Sequence, residues 1–302
     1  MPSRPRYERL ATERTNPRSG HLDRLGARAI ARLMNHEDRR AVAAVGRVAP
    51  AIGAAVDVIA HALGRGGRLF FVGAGTSGRL GVLEAAECPP TFGTPPALVQ
   101  AIMAGGRASV FRSREGAEDD AGAAARAVRA RVRRGDVVVG VSASGVTPFV
   151  RTALIAARRR GAATILVACN ARGARRRGLI IAPATGPEVL AGSTRLKAGT
   201  ATKLVLNTLT TASMARLGKV YGNRMVDLQP RSAKLRARAE RLVAEIGEVS
   251  RPRARRALAA ARGRVRLAIV IARRNLPADA AARALRAAGG SLRSVLERSS
   301  DR

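Results

Sequence analysis

Five short apolar runs, separated by Gly-rich turns and Ala-rich stretches, organise the chain between residues 68 and 217. They run from Leu69 to Val72, Leu98 to Met103, Val137 to Val141, Thr164 to Ala168 and Leu179 to Ala182. Strands that helices cover on both faces have this continuous apolar character, because neither face meets water. Their alternation with helical stretches is typical of βαβ units. The pattern therefore predicts an α/β fold with a parallel sheet.

Helical and extended segments precede and close this region. Residues 1 to about 20 are polar and interrupted by prolines, which predicts an extended arm. Apolar side chains recur near helical spacing at about 22–34 and 50–63, so we predict an amphipathic helix in each. A long helix is predicted at about 195–217, after the last strand.

The last part of the chain is predicted to form a separate helical domain. After about Pro230 the sequence is rich in Arg and Ala, with breaks at Gly263, Asn275–Pro277 and Gly289–Gly290. Three or four short helices of this kind can bury their aliphatic positions together. These positions are Leu258, Val265, Leu267, Ile269, Leu285, Leu292 and Val295. The predicted division is an N-terminal arm and helix at 1–50, a sheet domain at 51–235 and a small all-helical domain at 236–302.

The formal charge of +34 is unusual for a chain of 302 residues. A basic balance of this size raises the hypothesis of a nucleic-acid or acidic-membrane partner. However, only four of the 55 basic residues are Lys, and the Arg residues are spread over nearly every predicted helix. Aromatic residues, which stack on single-stranded bases, make up only 2% of the chain. We therefore do not expect nucleic acid to be the partner, although an Arg-rich nucleic-acid binder stays as a third hypothesis and such a charge attracts any anionic substrate.

Cysteine and histidine are too sparse to indicate a disulfide framework or a metal centre. Cys88 and Cys169 do not lie in CxxC or Cys/His patterns, and His21, His36 and His61 are isolated from one another. No apolar run approaches the length of a membrane span, and no apolar signal region follows the Arg-rich N-terminus. We therefore expect a soluble, cytoplasmic protein with no membrane association and no metal.

The first loop with candidate chemistry follows the first strand. Residues Gly73–Gly78, GAGTSG, have the G-x-G-x-x-G spacing of a dinucleotide fingerprint and open a helix. A Rossmann unit would place an acidic residue about 20 positions further on, whereas the second strand here ends in Ala104–Arg107 without a carboxylate. The hydroxyls of Thr76 and Ser77 at a helix N-terminus favour a phosphate monoester instead. An NADP site that uses the arginine remains the alternative.

A second loop repeats these features after the third strand. The segment Ser142–Gly145, SASG, is followed by Thr147 and Pro148, which predicts a helix N-cap and the first helical position. A single hydroxyl at a cap is more often structural than functional. Two such loops at the carboxyl ends of neighbouring parallel strands favour a binding site, because ligands lie at that edge of open α/β sheets.

One carboxylate is predicted to lie at the end of a helix. Pro89 and Pro90 disfavour helical geometry before them, so the helix that follows the first loop is predicted to end near Cys88. Glu87 then lies in its last turn. The negative end of the helix dipole disfavours an anion there, which suits Glu87 to donate a proton.

Other carboxylates are predicted to lie at a helix start. Glu115, Glu118, Asp119 and Asp120 crowd a segment that precedes an Ala-rich helical stretch. The positive end of the helix dipole stabilises ionised carboxylates at such a position. A carboxylate in this segment therefore suits a base, which contrasts with the role predicted for Glu87.

Five motifs are similar to those of a known family. They are GAGTSGRLGVLEAAECPPTFG at 73–93, EGAED at 115–119, GPEVLAGSTRLKAGTATKLVLN at 186–207, GKVYGNRMVD at 218–227 and TERTNPRSGHLDRL at 12–25. Through them, the chain from about Thr12 to its end resembles the N-acetylmuramic acid 6-phosphate etherase family. The resemblance implies a sugar isomerase (SIS) domain, which is a three-layer αβα sandwich with a parallel sheet, followed by a small helical domain, in a homodimer.

The resemblance also implies an activity and the residues that perform it. The family cleaves the D-lactyl ether of N-acetylmuramic acid 6-phosphate, a sugar phosphate of cell-wall catabolism, to N-acetylglucosamine 6-phosphate and D-lactate, without a metal or redox cofactor. Its two catalytic glutamates fall on Glu87, the proton donor, and Glu118, for which we expect the role of base. The expected substrate-binding residues are Gly75, Thr76, Ser77, Gly78, Ser142, Ser144 and Thr147, with Ser193, Thr194 and Lys197 completing the pocket.

The chain departs from the family's pattern at two places. It has Val146 where family sequences have Arg, and Cys169–Ala171 where they have a CNP turn, followed by the basic run 172–177. These departures concern the phosphate contacts and one loop. The alternative function is a non-catalytic sugar-phosphate-binding regulator, as in the related glucokinase regulatory proteins. Retention of both Glu87 and Glu118 argues against it.

Overall fold

The structure, a computed structural model, describes residues 10–170, 178–230 and 232–297. The chain divides into two compact units. The first unit comprises Met1–Ala86 and Pro96–Ser213, and the second comprises Glu87–Pro95 and Met214–Arg302. The basic run at 172–177 and the first nine residues of the predicted arm lie outside the described residues.

Five parallel strands form the sheet of the first unit. They are β1 Leu69–Gly73, β2 Val99–Met103, β3 Val137–Val141, β4 Ala163–Val167 and β5 Leu179–Ile181. Their order across the sheet is β2-β1-β3-β4-β5. Each strand coincides with one of the predicted apolar runs to within one residue at either end. The prediction of a parallel α/β sheet is confirmed.

The sheet has a topological switch point beside β1. The chain passes from β1 to β2 on one side and then places β3 on the other side. Gly73 at the end of β1 lies in register with Val141 at the end of β3. The loops that follow these two strands therefore leave the same edge side by side and diverge, which opens a crevice between them.

Helices cover both faces of this sheet. The helices are α1 Ala27–Arg47, α2 Ala49–Gly64, α3 Gly75–Phe92, α4 Ala108–Phe111, α5 Ala121–Arg131, α6 Pro148–Arg159 and α7 Lys197–Arg216. On the face that presents Phe70, α5 and α6 contribute to a buried cluster with Phe149 and Leu154. On the other face, α2 packs against the strands and Gly81 of α3 lies against Phe71. This arrangement is the expected three-layer αβα sandwich.

The N-terminal segment differs from its predicted structure. Short 3-10 turns occupy Ala11–Glu13, Pro17–Ser19 and Leu22–Arg24. The first helix begins only after Gly26 and runs to Arg47, well beyond the predicted end, because the buried side chains of Glu37, Ala41 and Ala44 continue its inner face through a polar stretch. Among the described residues no single helix is both long and apolar enough to span a membrane, although the bent pair α1 and α2 together meet that test.

The second unit is mainly helical. Its elements are the strands β6 Val220–Tyr221 and β7 Arg224–Met225 and the helices α8 Ala233–Gly247, α9 Arg251–Ala260, α10 Val265–Arg274, α11 Ala278–Ala287 and α12 Leu292–Glu297. The predicted breaks at Gly263, Asn275–Pro277 and Gly289–Gly290 separate the last four helices. The aliphatic positions predicted to be buried all lie in or against the core of these helices, so the predicted helical C-terminal region is confirmed.

Candidate active site

A pocket of about 360 Å³ opens at the carboxyl edge of the sheet, between the loops that follow β1 and β3. It lies at the topological switch point, where open α/β folds bind their ligands. The predicted site residues that line it are Gly75, Thr76, Ser77, Glu118, Ser142, Ser144, Thr147 and Thr194. Glu13 and Gly192, which the sequence patterns did not single out, line it as well. The pocket thus joins both hydroxyl-rich loops and one predicted catalytic carboxylate.

The loop after β1 explains the glycine spacing without a dinucleotide. A Cβ at Gly73 would lie 2.7 Å from the nitrogen of Gly78, and a Cβ at Gly78 would lie 2.6 Å from the carbonyl oxygen of Gly73. Only glycine permits this approach of strand end to helix start. Gly75 has a φ of +51° and begins α3. The loop therefore presents Thr76 and Ser77 in the first turn of α3, where backbone N–H groups lack helical partners and favour an anion. Gly78 itself is buried.

The loop after β3 forms a connected group of hydroxyls. Ser142 Oγ lies 2.8 Å from Thr147 Oγ1 and 3.3 Å from Ser144 Oγ, and it accepts the N–H of Gly145 at 3.1 Å. Thr147 is the predicted N-cap of α6, but its hydroxyl makes no capping hydrogen bond and instead faces Ser142. Val146, at the departure from the family pattern, is buried. The loop holds three hydroxyl groups in one place before any ligand arrives.

Glu118 reaches the pocket from the turn before α5. It is exposed and lies in the 3-10 turn Ala117–Asp119, and Asp120 then caps α5 by accepting the N–H of Ala123 at 2.7 Å. The predicted helix start is therefore correct. Arg79 of α3 donates to the carbonyl oxygens of Val110 at 2.8 Å and Ser109 at 3.0 Å, which holds the segment leading to this turn.

Glu87 is exposed on α3, in the stretch that belongs to the second unit. The prediction that the prolines end this helix is wrong, because Pro89 and Pro90 lie inside it and it continues to Phe92. Each proline lacks an N–H and so leaves one carbonyl of the preceding turn without its helical bond. The helix is closed by Gly93, which has a φ of +62°. Glu87 therefore lies more than one turn from the helix end, where the dipole acts more weakly.

Lys197 was expected to complete the pocket, but its side chain is buried elsewhere. It is 1% exposed, and its Nζ hydrogen-bonds to the Glu37 carboxylate. Asn16 Nδ2 donates to the same carboxylate at 2.9 Å and Arg18 at 3.3 Å. Burial raises the pKa of Glu37, but the hydrogen bond and charge of Lys197, with the bonds from Asn16 and Arg18, outweigh it and hold the pKa below its ordinary value. Ser193 is half-buried in the loop before α7.

A second buried carboxylate caps α7. Glu188 accepts the N–H groups of Lys197 and Ala198, both at 2.9 Å, and is fully buried. Burial raises its pKa, and the two backbone hydrogen bonds and the nearby charge of Lys197 only partly offset that effect. Both carboxylates therefore act at the start of α7. Glu37 pairs with the side chain of its first residue, Lys197, and Glu188 caps its first N–H groups.

A larger cavity of about 890 Å³ lies within the second unit. Its basic lining residues are Lys219, Arg262, Arg264, Arg266 and Arg286. Asp227 pairs with two of them, with Lys219 at 2.9 Å and with Arg266. The smaller pocket is the candidate active site, because hydroxyls, a helix N-terminus and a carboxylate meet there at the switch point of the sheet. Among the described residues no three His, Cys, Asp or Glu side chains are grouped as metal ligands.

Part of the chain matches a known family of domains. Residues 51–158 match the family of the glucokinase regulatory protein N-terminal SIS domain. A phosphoheptose isomerase from Francisella tularensis is similar in structure, with a TM-score of 0.49 and 16% identity over 62% of this chain and 97% of that one.

Relatives with much higher identity extend over nearly the whole chain. An N-acetylmuramic acid 6-phosphate etherase from Gloeobacter violaceus is 53% identical over 302 residues, covering 99% of this chain and 98% of the relative. One from Geobacillus thermodenitrificans is 50% identical over 299 residues, covering 96% and 99%. Identity of this extent shows that the chain belongs to the N-acetylmuramic acid 6-phosphate etherase family.

Proposed function

We propose that the protein cleaves the D-lactyl ether of N-acetylmuramic acid 6-phosphate and releases N-acetylglucosamine 6-phosphate and D-lactate. The observation that carries this proposal is the meeting of two hydroxyl-rich loops and Glu118 in one pocket at the switch point of the sheet. Membership of the etherase family supports the choice of substrate, since the relatives that match nearly the full chain bear that name.

The 6-phosphate binds to the two loops. Thr76 and Ser77 offer hydroxyls together with the free N–H groups of the first turn of α3, and Ser142, Ser144 and Thr147 offer the hydroxyls of the second loop. The phosphate lies remote from the reacting carbons. Its binding energy therefore serves to hold those carbons in place for the chemical steps.

The ether is cleaved by elimination followed by addition of water. In the open-chain sugar the C2 proton is acidic because it lies α to the C1 aldehyde. Glu118 removes this proton, the electrons form a C2=C3 double bond, and the C3–O bond breaks while an acid protonates the departing lactyl oxygen. Water then adds its hydroxyl to C3 and a proton returns to C2. Positioned acid and base groups each contribute about 10²–10⁴-fold to reactions of this type.

Glu87 acts as the acid in this proposal. Its role rests on the motif AECPP, in which the residue coincides with the family's proton donor. Glu87 is exposed on α3. The same family pattern supports two further proposals, namely that the protein is a homodimer and that it works in the cytoplasm. Light scattering on the purified chain checks the first, with a mass of about twice 31.6 kDa expected.

The test is an assay of D-lactate after incubation with N-acetylmuramic acid 6-phosphate. The unmodified protein should release one lactate per sugar, while Glu87→Gln and Glu118→Gln should each be slower by about 10²-fold or more. Glu115→Gln is a matched control, because this exposed carboxylate belongs to the same segment but does not line the pocket. Tight sugar-phosphate binding without any lactate would overturn the proposal in favour of a regulator. Full activity of either variant would remove that residue from the mechanism.

A further inference from the structure

Glu13 is a carboxylate that lines the pocket together with Glu118 and Asp119. It is exposed and belongs to the N-terminal arm, in the 3-10 turn Ala11–Glu13. The mechanism above gives it no task. The contacts on either side of it show that its position is built by the fold, since the arm is fixed both before and after Glu13.

The first anchor is Asn170, at the end of β4. Its Oδ1 accepts the N–H of Ala11 at 3.0 Å, and its Nδ2 donates to Thr12 Oγ1 at 3.2 Å and to the carbonyl oxygen of Ala143 at 3.3 Å. Ala143 lies in the second hydroxyl-rich loop and lines the pocket. One buried amide therefore ties the arm to the loop that is proposed to bind phosphate.

The same anchor reaches the carboxylate through Thr12. The Thr12 side chain, 1% exposed, accepts from Asn170 and donates its own proton to Glu13 Oε1 at 3.3 Å. A buried hydroxyl that must accept one hydrogen bond has its proton directed to the other partner. The chain of contacts from Asn170 through Thr12 thus orients one oxygen of Glu13.

The second anchor follows Glu13 along the arm. Asn16 is buried, and its Nδ2 donates to Glu37 at 2.9 Å and to the carbonyl oxygen of Pro187 at 3.4 Å. Gly192 lies beside the Glu13 carboxylate, since a Cβ there would be in ordinary contact with Oε2 at 3.5 Å. The arm is therefore held on both sides of a carboxylate that faces the ligand space.

An anionic group in a pocket for an anionic substrate must face the uncharged part of the sugar, because it would repel the phosphate.

The reaction contains a proton transfer that neither proposed glutamate performs. N-Acetylmuramic acid 6-phosphate is a cyclic hemiacetal, whereas the elimination needs the C1 aldehyde. Opening the ring moves a proton from O1 to O5, which are bonded to the same carbon.

We propose that Glu13 opens the pyranose ring, an inference that rests on the proposed function. One carboxylate oxygen takes the proton from O1–H, the C1=O1 bond forms, and the C1–O5 bond breaks with its electrons on O5. The same carboxylate oxygen, which now carries this proton, returns it to O5. The carboxylate ends unchanged and no further reactant is consumed, and one oxygen can serve both positions because O1 and O5 are bonded to the same carbon. Glu118 then acts on C2.

The test follows ring opening by itself, with the product N-acetylglucosamine 6-phosphate as the probe. Ring opening and closure interconvert its two anomers, and exchange between their anomeric proton signals gives the rate by NMR. The unmodified protein should accelerate this exchange. Glu13→Gln should lower the acceleration by about 10²-fold or more. Asp23→Asn, an exposed carboxylate on the same arm outside the pocket, is the control and should keep the acceleration.

The outcomes separate this inference from the proposed function. Anomer exchange that the unmodified protein does not accelerate, or that Glu13→Gln accelerates equally, would overturn the role of Glu13 even if lactate is released. Lactate release that fails while exchange is accelerated would overturn the etherase proposal alone.

If Glu13→Gln does not fold, as judged by its melting curve, Thr12→Val provides the second test. It keeps the carboxylate but removes the hydrogen bond that orients it, so a lower exchange rate at unchanged sugar-phosphate affinity is expected, and an unchanged rate would contradict the inference.

Discussion

Carboxylates in the first unit form two groups that differ in their surroundings. Glu13 and Glu118 are exposed in the pocket. Glu37 and Glu188 are 1% and 0% exposed, and each of their oxygens accepts at least one hydrogen bond. A carboxylate whose oxygens are all occupied by the protein cannot serve a substrate. Burial and hydrogen-bond partners, rather than residue type, therefore distinguish the carboxylates that can act on a substrate from those that stabilise the fold.

The two groups are nevertheless connected. Glu37 binds Asn16, which fixes the arm that carries Glu13, and Glu188 caps α7 behind the loop that contains Gly192. The buried carboxylate of Glu37 therefore helps to fix the position of Glu13 in the pocket. Variants of the pocket carboxylates should therefore lower the rate more than the stability, and variants that affect the buried carboxylates should lower the stability more than the rate.

Replacing Glu118 should change the rate and not the stability. Glu118→Gln removes a base and should lower lactate release by about 10²–10⁴-fold. Because the side chain is exposed, the free energy of unfolding in urea should stay within about 0.5 kcal/mol of the original. A free energy of unfolding that falls well outside this range would instead show that Glu118 stabilises the fold, as Glu37 and Glu188 do.

Replacing Lys197 should have the opposite effect. Lys197→Met leaves the buried Glu37 carboxylate without its main partner, so urea unfolding should report a loss of about 3–5 kcal/mol. Lys203→Met is the matched control, since this lysine lies on the same helix but is exposed, and it should cost about 0.5 kcal/mol or less. Equal effects of both substitutions would mean that the buried pair does not stabilise the fold.

Acid should weaken the contribution of Glu37 to stability. The pKa of Glu37 is lowered on folding from its ordinary value of 4.5, so its ionised form stabilises the protein above that pH, and this contribution is lost as the pH falls through the folded pKa. The pKa of Glu188 is raised instead, so its contribution to stability is present at low pH and is lost as the pH rises through the folded pKa. In urea titrations below about pH 4.5, Glu37→Gln should therefore lose stability less steeply than the original protein. A steeper loss would contradict the assigned direction.

The thiol beside Glu188 should be unreactive. Burial raises the pKa of Cys169 to about 11, and the charge of Glu188 contributes to this. At about pH 8 the thiolate is therefore scarce and shielded, and alkylation by iodoacetamide should wait for unfolding. Mass spectrometry of the folded and the urea-unfolded chain measures this, and rapid labelling of Cys169 in the folded chain would show that the region around Glu188 opens.

The sequence predicts the architecture better than it predicts the site. The five strands and the breaks between the C-terminal helices follow from local apolar pattern and glycine placement, and they are found where predicted. The predicted end of α3 at Pro89 and Pro90 is wrong, because packing can keep a helix intact through residues that weaken it locally.

The errors within the site come from contacts between distant parts of the chain. Glu13 depends on Asn170, 158 residues or more from its partners in the arm, and Lys197 depends on Glu37, 160 residues away. No local periodicity carries such pairings. The motif TERTN resembles the family's N-terminal pattern, and this resemblance is a signal for a role of Glu13 that local periodicity does not carry.

The position of new oxygen in the products tests the central claim most directly. The protein is incubated with N-acetylmuramic acid 6-phosphate in water enriched in ¹⁸O, and both products are analysed by mass spectrometry. Elimination and addition of water at C3 predict that the label enters the C3 hydroxyl of N-acetylglucosamine 6-phosphate and is absent from D-lactate. Label in D-lactate would mean that the bond on the lactyl side breaks, and it would contradict the mechanism assigned to Glu118 and its pocket.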